Sequence, residues 1–189
     1  MQTLGHFFEP LYDGDEQTFS SNERCTVCFV DGLNKVLHPK HLQINYTTYD
    51  MHRDKDTLRP GSGSAVMLLS REDSPNAPPF WYAEVLGAYI ITVDYAGTKQ
   101  AMEILWVHWF GVVPGYRWGF KYGRLPKVGF VPSETDAAFG FVDPALVLRS
   151  CHLIPVFVDG CTDSLLRHGP SVARQKNVDD NWAAYYVNM

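Results

Sequence analysis

One long stretch of apolar, aromatic and β-branched residues restricts the fold more than any other feature of this sequence. The segment FWYAEVLGAYIITVDY (80–95) is followed by the turn-forming run AGTK and then by MEILWVHWF (102–110). Aromatic and β-branched residues are enriched in strands, and two such segments joined by a short connection are typical of a β-hairpin. We therefore predict two long paired strands at the centre of a sheet.

Shorter strand patterns lie on both sides of this hairpin. In HLQINYTTYD (41–50), apolar and polar residues alternate from Leu42 onward, which is the period of a strand with one buried face. Asp31-Gly32 favours the tight turn of a further hairpin, between residues 26–30 and 36–37. The charged run 53–65 predicts an exposed loop instead. Further strands are predicted for AVMLLS (65–70), KVGFV (127–131), CHLIPVFV (151–158) and AAYYVN (183–188).

Helical patterns are few. Asp143-Pro144 predicts a short helix over about 144–149, because Asp caps free amide groups and Pro suits the first helical position. TDSLLRH (162–168) predicts one more helical turn. No alternation of strands and helices is present. The pattern predicts a mainly β domain, a small barrel or partly open β structure with long loops and one or two short helices.

Length, charge and the two termini indicate the organisation of the chain. Its 189 residues fit one domain, and we expect 1–24 to form a flexible N-terminal arm and 25–189 a single β-rich domain. The strand-like run at the C-terminus predicts that this domain is part of a longer protein. The net charge of −5 at pH 7 disfavours extensive phosphate binding but allows a local basic patch. Without a signal-peptide pattern or a long apolar segment, we expect an intracellular protein and no membrane partner.

Several of these segments together resemble known families. FWYAEVLGAYI, ILWVHWFG and LRSCHLIPVF, within residues 40–158, resemble the strands of a BAH (bromo-adjacent homology) domain. Along most of its length the chain is also similar to the C-terminal accessory region of proteins encoded by Plavaka- and KDZ-type DNA transposons of mushroom-forming fungi. The similar segments are, in this order, NYTTYDMHRDKDTLRP, VMLLS, FWYAEVLGAYI, ILWVHWFG, RLPKVGFVP, AFGFVDPALVLRSCHLIPVF and YYVNM. The resemblance implies a small BAH-like β-barrel with an SH3-like core in a nuclear, transposon-derived fungal protein. GVVP (111–114) stands where BAH domains usually carry an Arg-Pro-Glu run, so no histone-tail contact is carried over to that loop.

The central strands carry the first candidate binding residues. Side chains alternate between the faces of a strand, so Trp106 and His108 share one face while Val107 and Trp109 share the other. An exposed set of rings could hold a methylated lysine, whose cation is attracted to ring faces, and the BAH domains that this chain resembles bind histone tails in this way. The alternative is that most of the rings fill the core. The candidate ligand-binding residues are Trp81, Tyr82, Trp106, Trp109 and Phe110.

The Gly- and Pro-rich segment 111–133 carries the second candidate site. It contains four cations and no acidic residue, and aromatic residues lie between the cations. Such a loop suits phosphate contacts combined with base stacking, although a charged protein surface or an ordinary solvated loop has the same composition. The candidate nucleic-acid-binding residues are Arg117, Trp118, Lys121, Tyr122, Arg124 and Lys127.

Metal-binding and catalytic patterns are weak. Cys25 and Cys28 lie near His38 and His41, but the nine residues between Cys28 and His38 are too few for the common zinc finger. Pairing a late cysteine and histidine as nucleophile and base requires a geometry that spacing does not show. The carboxylates of YDMHRDKD imitate those of a metal-dependent nuclease, but they alternate with cations, which favours a solvated loop.

The sequence therefore predicts a binding protein and not an enzyme. We expect a non-catalytic chromatin or nucleic-acid interaction module of a transposon-derived protein, without a metal or a small-molecule cofactor. Its expected partners are a histone tail, DNA or RNA, and the remainder of the parent protein. One alternative is a structural accessory or oligomerisation domain that docks on a transposase core. A metal-dependent nuclease is the third.

Overall fold

A computed structural model describes residues 27–29, 36–48, 50–72, 77–95, 97–165 and 181–188. More than half of these residues lie in β-strands. These residues form a mainly β structure, as predicted, and the expected arm at 1–24 lies outside them. Their helical segments are the 3-10 turns Phe120–Tyr122, Pro144–Leu146 and Phe157–Asp159. None of them is long or apolar enough to cross a membrane. The strands are β1 (Val27–Phe29), β2 (Leu42–Thr47), β3 (Arg53–Leu58), β4 (Ala65–Leu69), β5 (Phe80–Tyr95), β6 (Thr98–Val112), β7 (Lys127–Phe130), β8 (Phe139–Val142), β9 (Val147–Pro155), β10 (Cys161–Thr162), β11 (Asn181–Trp182) and β12 (Tyr185–Asn188).

The predicted long hairpin is confirmed at the centre of the sheet. β5 and β6 pair in antiparallel register from Tyr82↔Phe110 to Tyr95↔Thr98. The register shifts between Val85 and Gly87, so one extra residue of β5 is accommodated there. Such a bulge bends a strand and increases its twist, which suits a strand that pairs with different neighbours along its length.

Six antiparallel strands are linked by pairings that return to their starting point. β5 pairs with β6 and with β4, β4 with β9, β9 with β12, β12 with β7, and β7 with β6. Each of the six contributes to one buried cluster on the same side of the sheet, so this face encloses a core. The cluster contains Ala65, Met67, Tyr82, Phe110, Val128, Phe130, Cys151 and Val187.

The opposite face of the sheet packs against the hairpin formed by β2 and β3. Ile44 and Leu58, one from each strand, are buried in a second apolar cluster with residues of β4, β5, β6, β8 and β9. The carboxylate of Asp56 accepts a hydrogen bond from the backbone N–H of Ser150 at 2.9 Å. Apolar packing and this hydrogen bond together hold the hairpin on β9.

Two of the predicted loops and turns are wrong. The segment 53–65 is not a loop throughout, because Arg53–Leu58 forms β3 and pairs along its whole length with β2. Only Leu58 at its end is buried, so the charged side chains before it stay accessible to water. The predicted pairing of residues 26–30 with 36–37 is not formed either, because β1 and Leu37 both run antiparallel to β5 and therefore parallel to each other. The expected turn, Asp31-Gly32, lies outside the described residues.

The predicted short helix after Asp143 is present but shorter than expected. The carboxylate of Asp143 accepts a hydrogen bond from the N–H of Ala145 at 2.8 Å, as the capping argument predicts. The 3-10 turn ends at Leu146, and β9 begins at Val147. In the predicted helical turn 162–168, Thr162 belongs to β10 and residues 166–168 lie outside the described ranges.

Candidate aromatic groove and basic loop

The five candidate aromatic residues of β5 and β6 lie on opposite faces of the hairpin. Residues paired across an antiparallel ladder share a face, and the register pairs Tyr82 with Phe110 and Ala83 with Trp109. Tyr82 and Phe110 are only 2% and 7% exposed and belong to the enclosed core. Trp81 and Trp109 contact each other on the other face. Trp81 and Trp109 are therefore partly accessible to a ligand, whereas Tyr82 and Phe110 are not.

Trp106 contributes to neither the groove nor the enclosed cluster described above. Its ring lies 6.1 Å from that of Phe139, and His108 stacks between Phe130 and Phe139 with centroid distances of 4.4 Å to each. The shared contact with Phe139 confirms that Trp106 and His108 occupy one face. Trp106 and Trp109 are both half-buried, on opposite faces of β6.

Trp81 and Trp109 line a groove of about 550 Å³ on the surface. Their ring centroids are 6.0 Å apart and their planes meet at 74°, so each ring presents a different surface to the groove. Strands β4, β8 and β9 and the 3-10 turn Pro144–Leu146 complete it. Its main apolar lining residues are Leu68, Leu69, Phe141, Val142, Leu146 and Leu148.

Two carboxylates lie at this groove. The indole N–H of Trp81 donates a hydrogen bond to Glu72 Oε1 at 3.3 Å. Asp143 lines the groove and uses its Oδ1 to cap the 3-10 turn. Arg71 also lines the groove, so the formal charges of Glu72, Asp143 and Arg71 sum to −1. Sequence reasoning missed Glu72 and Asp143 as site residues because nothing in their local pattern indicates the neighbouring tryptophans.

The basic loop between β6 and β7 folds back on itself. The N–H of Gly119 donates to the carbonyl of Arg124 at 2.9 Å. Gly119 and Gly123 have φ values of 95° and 59°, which residues other than glycine rarely adopt. The turn that they enclose carries Phe120 with its side chain fully exposed. The loop therefore presents an aromatic ring at its tip.

Three of the four predicted cations of this loop are accessible. Arg117, Lys121 and Arg124 are exposed. Lys127 is not, because its Nζ lies 2.6 Å from a carboxylate oxygen of Asp159 and its side chain is only 14% exposed. The sequence placed no acidic residue in this segment, but the fold brings one from a distant part of the chain. The accessible local charge is therefore +3 and not +4.

The rings of the loop lie close to its cations. The guanidinium of Arg124 is 5.9 Å from the centre of the Tyr116 ring, and the ammonium of Lys121 is 5.8 Å from that of Tyr122. Tyr122 is exposed and Trp118 is half-buried. A cation over the face of an aromatic ring is attracted to that ring, so these contacts favour side-chain conformations in which the cations and rings of the loop stay together.

Exposed apolar side chains next to Asp159 extend this surface. Phe157 is 70% and Val158 is 96% exposed. The predicted core strand 151–158 is wrong at this end, since β9 ends at Pro155 and the chain turns into the segment Phe157–Asp159. Pro155 is the signal in the sequence that indicates the end of the strand, because proline cannot donate a ladder hydrogen bond.

The residues with catalytic or metal-binding potential are scattered. Within the described ranges, no group of three or more His, Cys, Asp and Glu side chains could hold a metal ion. Cys25 and His168 lie outside those ranges. His152 and Cys161 are exposed. Asp56, from the predicted acidic group, is bound to a backbone amide of β9.

Several buried groups on the sheet have shifted pKa values, among them Glu84, His108 and Cys151. Glu84 is 7% exposed and lies opposite His108 in the register of β5 and β6. Burial raises the pKa of Glu84 to about 7 and that of Cys151 to about 12. Burial also lowers the pKa of His108, whose Nε2 is 2.8 Å from the carbonyl oxygen of Val131. Burial therefore favours the neutral form of both Glu84 and His108.

Comparisons of this chain with protein-family models, with curated proteins and with solved structures find no match. The function is therefore inferred from the aromatic groove and the basic loop, together with the sequence resemblance given above.

Proposed function

We propose that this chain is a non-catalytic interaction module that binds a cationic peptide, such as a histone tail carrying a methylated lysine, in the groove of Trp81 and Trp109. The observation that carries the proposal is the nearly perpendicular pair of indole rings at the surface. A cation is attracted to the face of an indole ring within about 6 Å, and two rings at a steep angle surround it on two sides.

Charge and fold also support this function. The carboxylates of Glu72 and Asp143 lie beside the rings and complement a cationic ligand. The closed cycle of six strands fits the BAH-like barrel with an SH3-like core that the sequence resembles. The sequence resemblance is the basis on which we propose a nuclear location for the module, as a part of a longer transposon-derived protein.

Peptide binding tests the proposal. Fluorescence polarisation would compare peptides that carry one unmodified, mono-, di- or trimethylated lysine, and a peptide with the neutral tert-butyl isostere of trimethyl-lysine. Trp109→Ala removes one ring of the groove. Trp106→Ala is the matched control, because it removes the same residue type from the opposite face of the same strand.

The expected result is preferential binding of a methylated peptide that weakens about tenfold or more in Trp109→Ala, in line with roughly 1–2 kcal/mol for a desolvated cation–π contact. The Trp106→Ala control should bind normally. Equal binding of the charged and neutral peptides would refute the role of the cation. Binding to no peptide, with both variants folded by circular dichroism, would refute this function.

We propose nucleic-acid binding by the basic loop as a second function, because this loop carries three exposed cations and the fully exposed ring of Phe120. Phosphates would contact Arg117, Lys121 and Arg124, while a base would stack on Phe120. Lys127 is left out since Asp159 neutralises it.

Salt dependence tests this second function. The triple variant Arg117→Ala/Lys121→Ala/Arg124→Ala should lower the slope of log K against log salt by about 2–3 for duplex DNA, at roughly 0.9 for each lost phosphate contact. The control triple variant makes the same change of charge at three exposed lysines elsewhere. Equal losses in the two variants would mean that the loop is not the binding site, and no binding by the unaltered protein would favour a structural accessory role. The control lysines are Lys40, Lys55 and Lys99.

A further inference from the structure

β8 has one unpaired edge within the described part of the chain. This strand, Phe139–Val142, pairs with β6 and is the last member of the sheet. No other described strand pairs with it. A free edge carries backbone donors and acceptors that can bind a further extended segment.

The hydrogen-bonding register decides which groups point outward. The N–H of Trp109 donates to the carbonyl of Ala138 at 2.9 Å, and the register pairs His108 with Phe139. Hydrogen-bonded positions alternate along an antiparallel ladder. Gly140 therefore directs its N–H and C=O toward β6, whereas Phe139 and Phe141 direct theirs toward the free edge.

The free edge adjoins the aromatic groove. Phe141 and Val142 of β8 and the following Asp143 line the groove together with Trp109. A segment paired with Phe139 and Phe141 therefore runs beside the groove, and its alternate side chains point to the face that carries the tryptophans. Asp143, the residue after β8, adds a carboxylate to this end of the groove.

We propose that the cationic peptide binds as an added strand on β8, through the backbone groups of Phe139 and Phe141, and inserts one lysine side chain into the groove of Trp81 and Trp109. This inference rests on the proposed peptide-binding function and adds the backbone conformation of the ligand. Backbone pairing supplies affinity that does not depend on sequence, while the groove selects the side chain.

A peptide scanned with single backbone N-methyl groups tests the added strand. Each N-methyl group removes one amide donor and adds bulk at that edge of the peptide. In an extended strand only every second residue directs its amide toward β8. The expected result is a loss of binding of tenfold or more at alternate positions, with little change at the positions between them.

Two variants of the protein provide the complementary test. Phe141→Pro removes the outward N–H, and proline is tolerated where the N–H faces away from the neighbouring strand. Phe141→Ala keeps the N–H and, like the proline variant, removes the ring that lines the groove. Binding should be at least tenfold weaker in Phe141→Pro, confirmed as folded by circular dichroism, than in Phe141→Ala.

Three outcomes would overturn the inference. Binding that depends on Trp109 but shows no alternation in the N-methyl scan would mean that the peptide fills the groove without pairing, and the proposed function would stand. A dimer in sedimentation that Phe141→Pro dissociates and Phe141→Ala preserves would mean that a second copy occupies the edge. No binding of any peptide by the unaltered protein would overturn both the inference and the proposed function.

Discussion

The buried carboxyl group of Glu84 predicts an unusual dependence of stability on pH. Glu84 lies opposite His108 and is 7% exposed, and burial raises its pKa from 4.5 to about 7. Folding therefore favours the protonated form. The stabilisation from this group is complete below about pH 4.5 and is lost as the pH rises through about 7.

The magnitude follows from the two pKa values. One pKa unit corresponds to about 1.4 kcal/mol, so ionisation of Glu84 lowers the free energy of unfolding by roughly 3 kcal/mol between pH 4.5 and pH 8. His108 acts in the opposite direction. Its lowered pKa means that stability falls as the pH drops below the ordinary histidine value of about 6.5. The two contributions partly cancel in the unaltered protein.

Glu84→Gln separates these contributions, because glutamine has a similar shape and does not titrate. Urea unfolding followed by circular dichroism at several pH values from 4.5 to 8 gives the free energy for both proteins. The difference, unaltered protein minus variant, should fall by roughly 3 kcal/mol over this range. The variant alone should gain stability as the pH rises through the titration of His108.

A difference that stays constant with pH would refute the reasoning. It would mean that Glu84 has the same pKa in the folded and unfolded chain, so that water reaches its carboxyl group in the fold. A difference that grows with pH would mean that the ionised form is stabilised by a partner. Either result would contradict the buried environment described for this strand.

Three further predictions concern single side chains. Asp143→Ala should lower the free energy of unfolding by about 0.5–1 kcal/mol in urea, because it removes the cap of the 3-10 turn. Alkylation at pH 8 followed by mass spectrometry should label the exposed Cys161 and leave Cys151 unlabelled, since Cys151 is buried with a pKa raised to about 12; equal labelling would contradict the enclosed core. Gly129→Ala should destabilise the fold by about 1–3 kcal/mol in the same urea assay, because the added carbon would lie 3.0 Å from the carbonyl oxygen of Ala183.

The strands that sequence predicted correctly are those with a strong local pattern. The alternation in β2 buries Ile44 and exposes Gln43 and Asn45, as expected from the period of a strand. The charged strand β3 has no such pattern and exists because it pairs with β2. In the same way, the position of Leu37 depends on β5 and not on the turn residues nearby. In both cases, the structure of the segment depends on the strand with which it pairs and not on its own sequence pattern.

The candidate sites were predictable as residue types but not as surfaces. Alternation assigned Trp109 to the face opposite Trp106, but only the register of β5 on β6 brings Trp81 beside it. The carboxylate of Asp159 reaches Lys127 across 32 residues of sequence, which no local pattern indicates. Sequence therefore indicates which side chains are suited to binding, and long-range contacts determine which remain available.

The arrangement of the two candidate sites suggests how one module could distinguish two kinds of ligand. Trp109 and the start of the basic loop at Val113 are four residues apart, or about 13 Å along an extended chain. In the two proposed functions, a cationic tail would bind beside the carboxylates of the groove, and phosphates would bind the cations of the loop. When one ligand carries both a cationic tail and phosphates, binding at one site raises the effective concentration of the other part of the ligand at the second site. Discrimination then requires both parts of the ligand at the correct spacing, and neither site needs high affinity by itself.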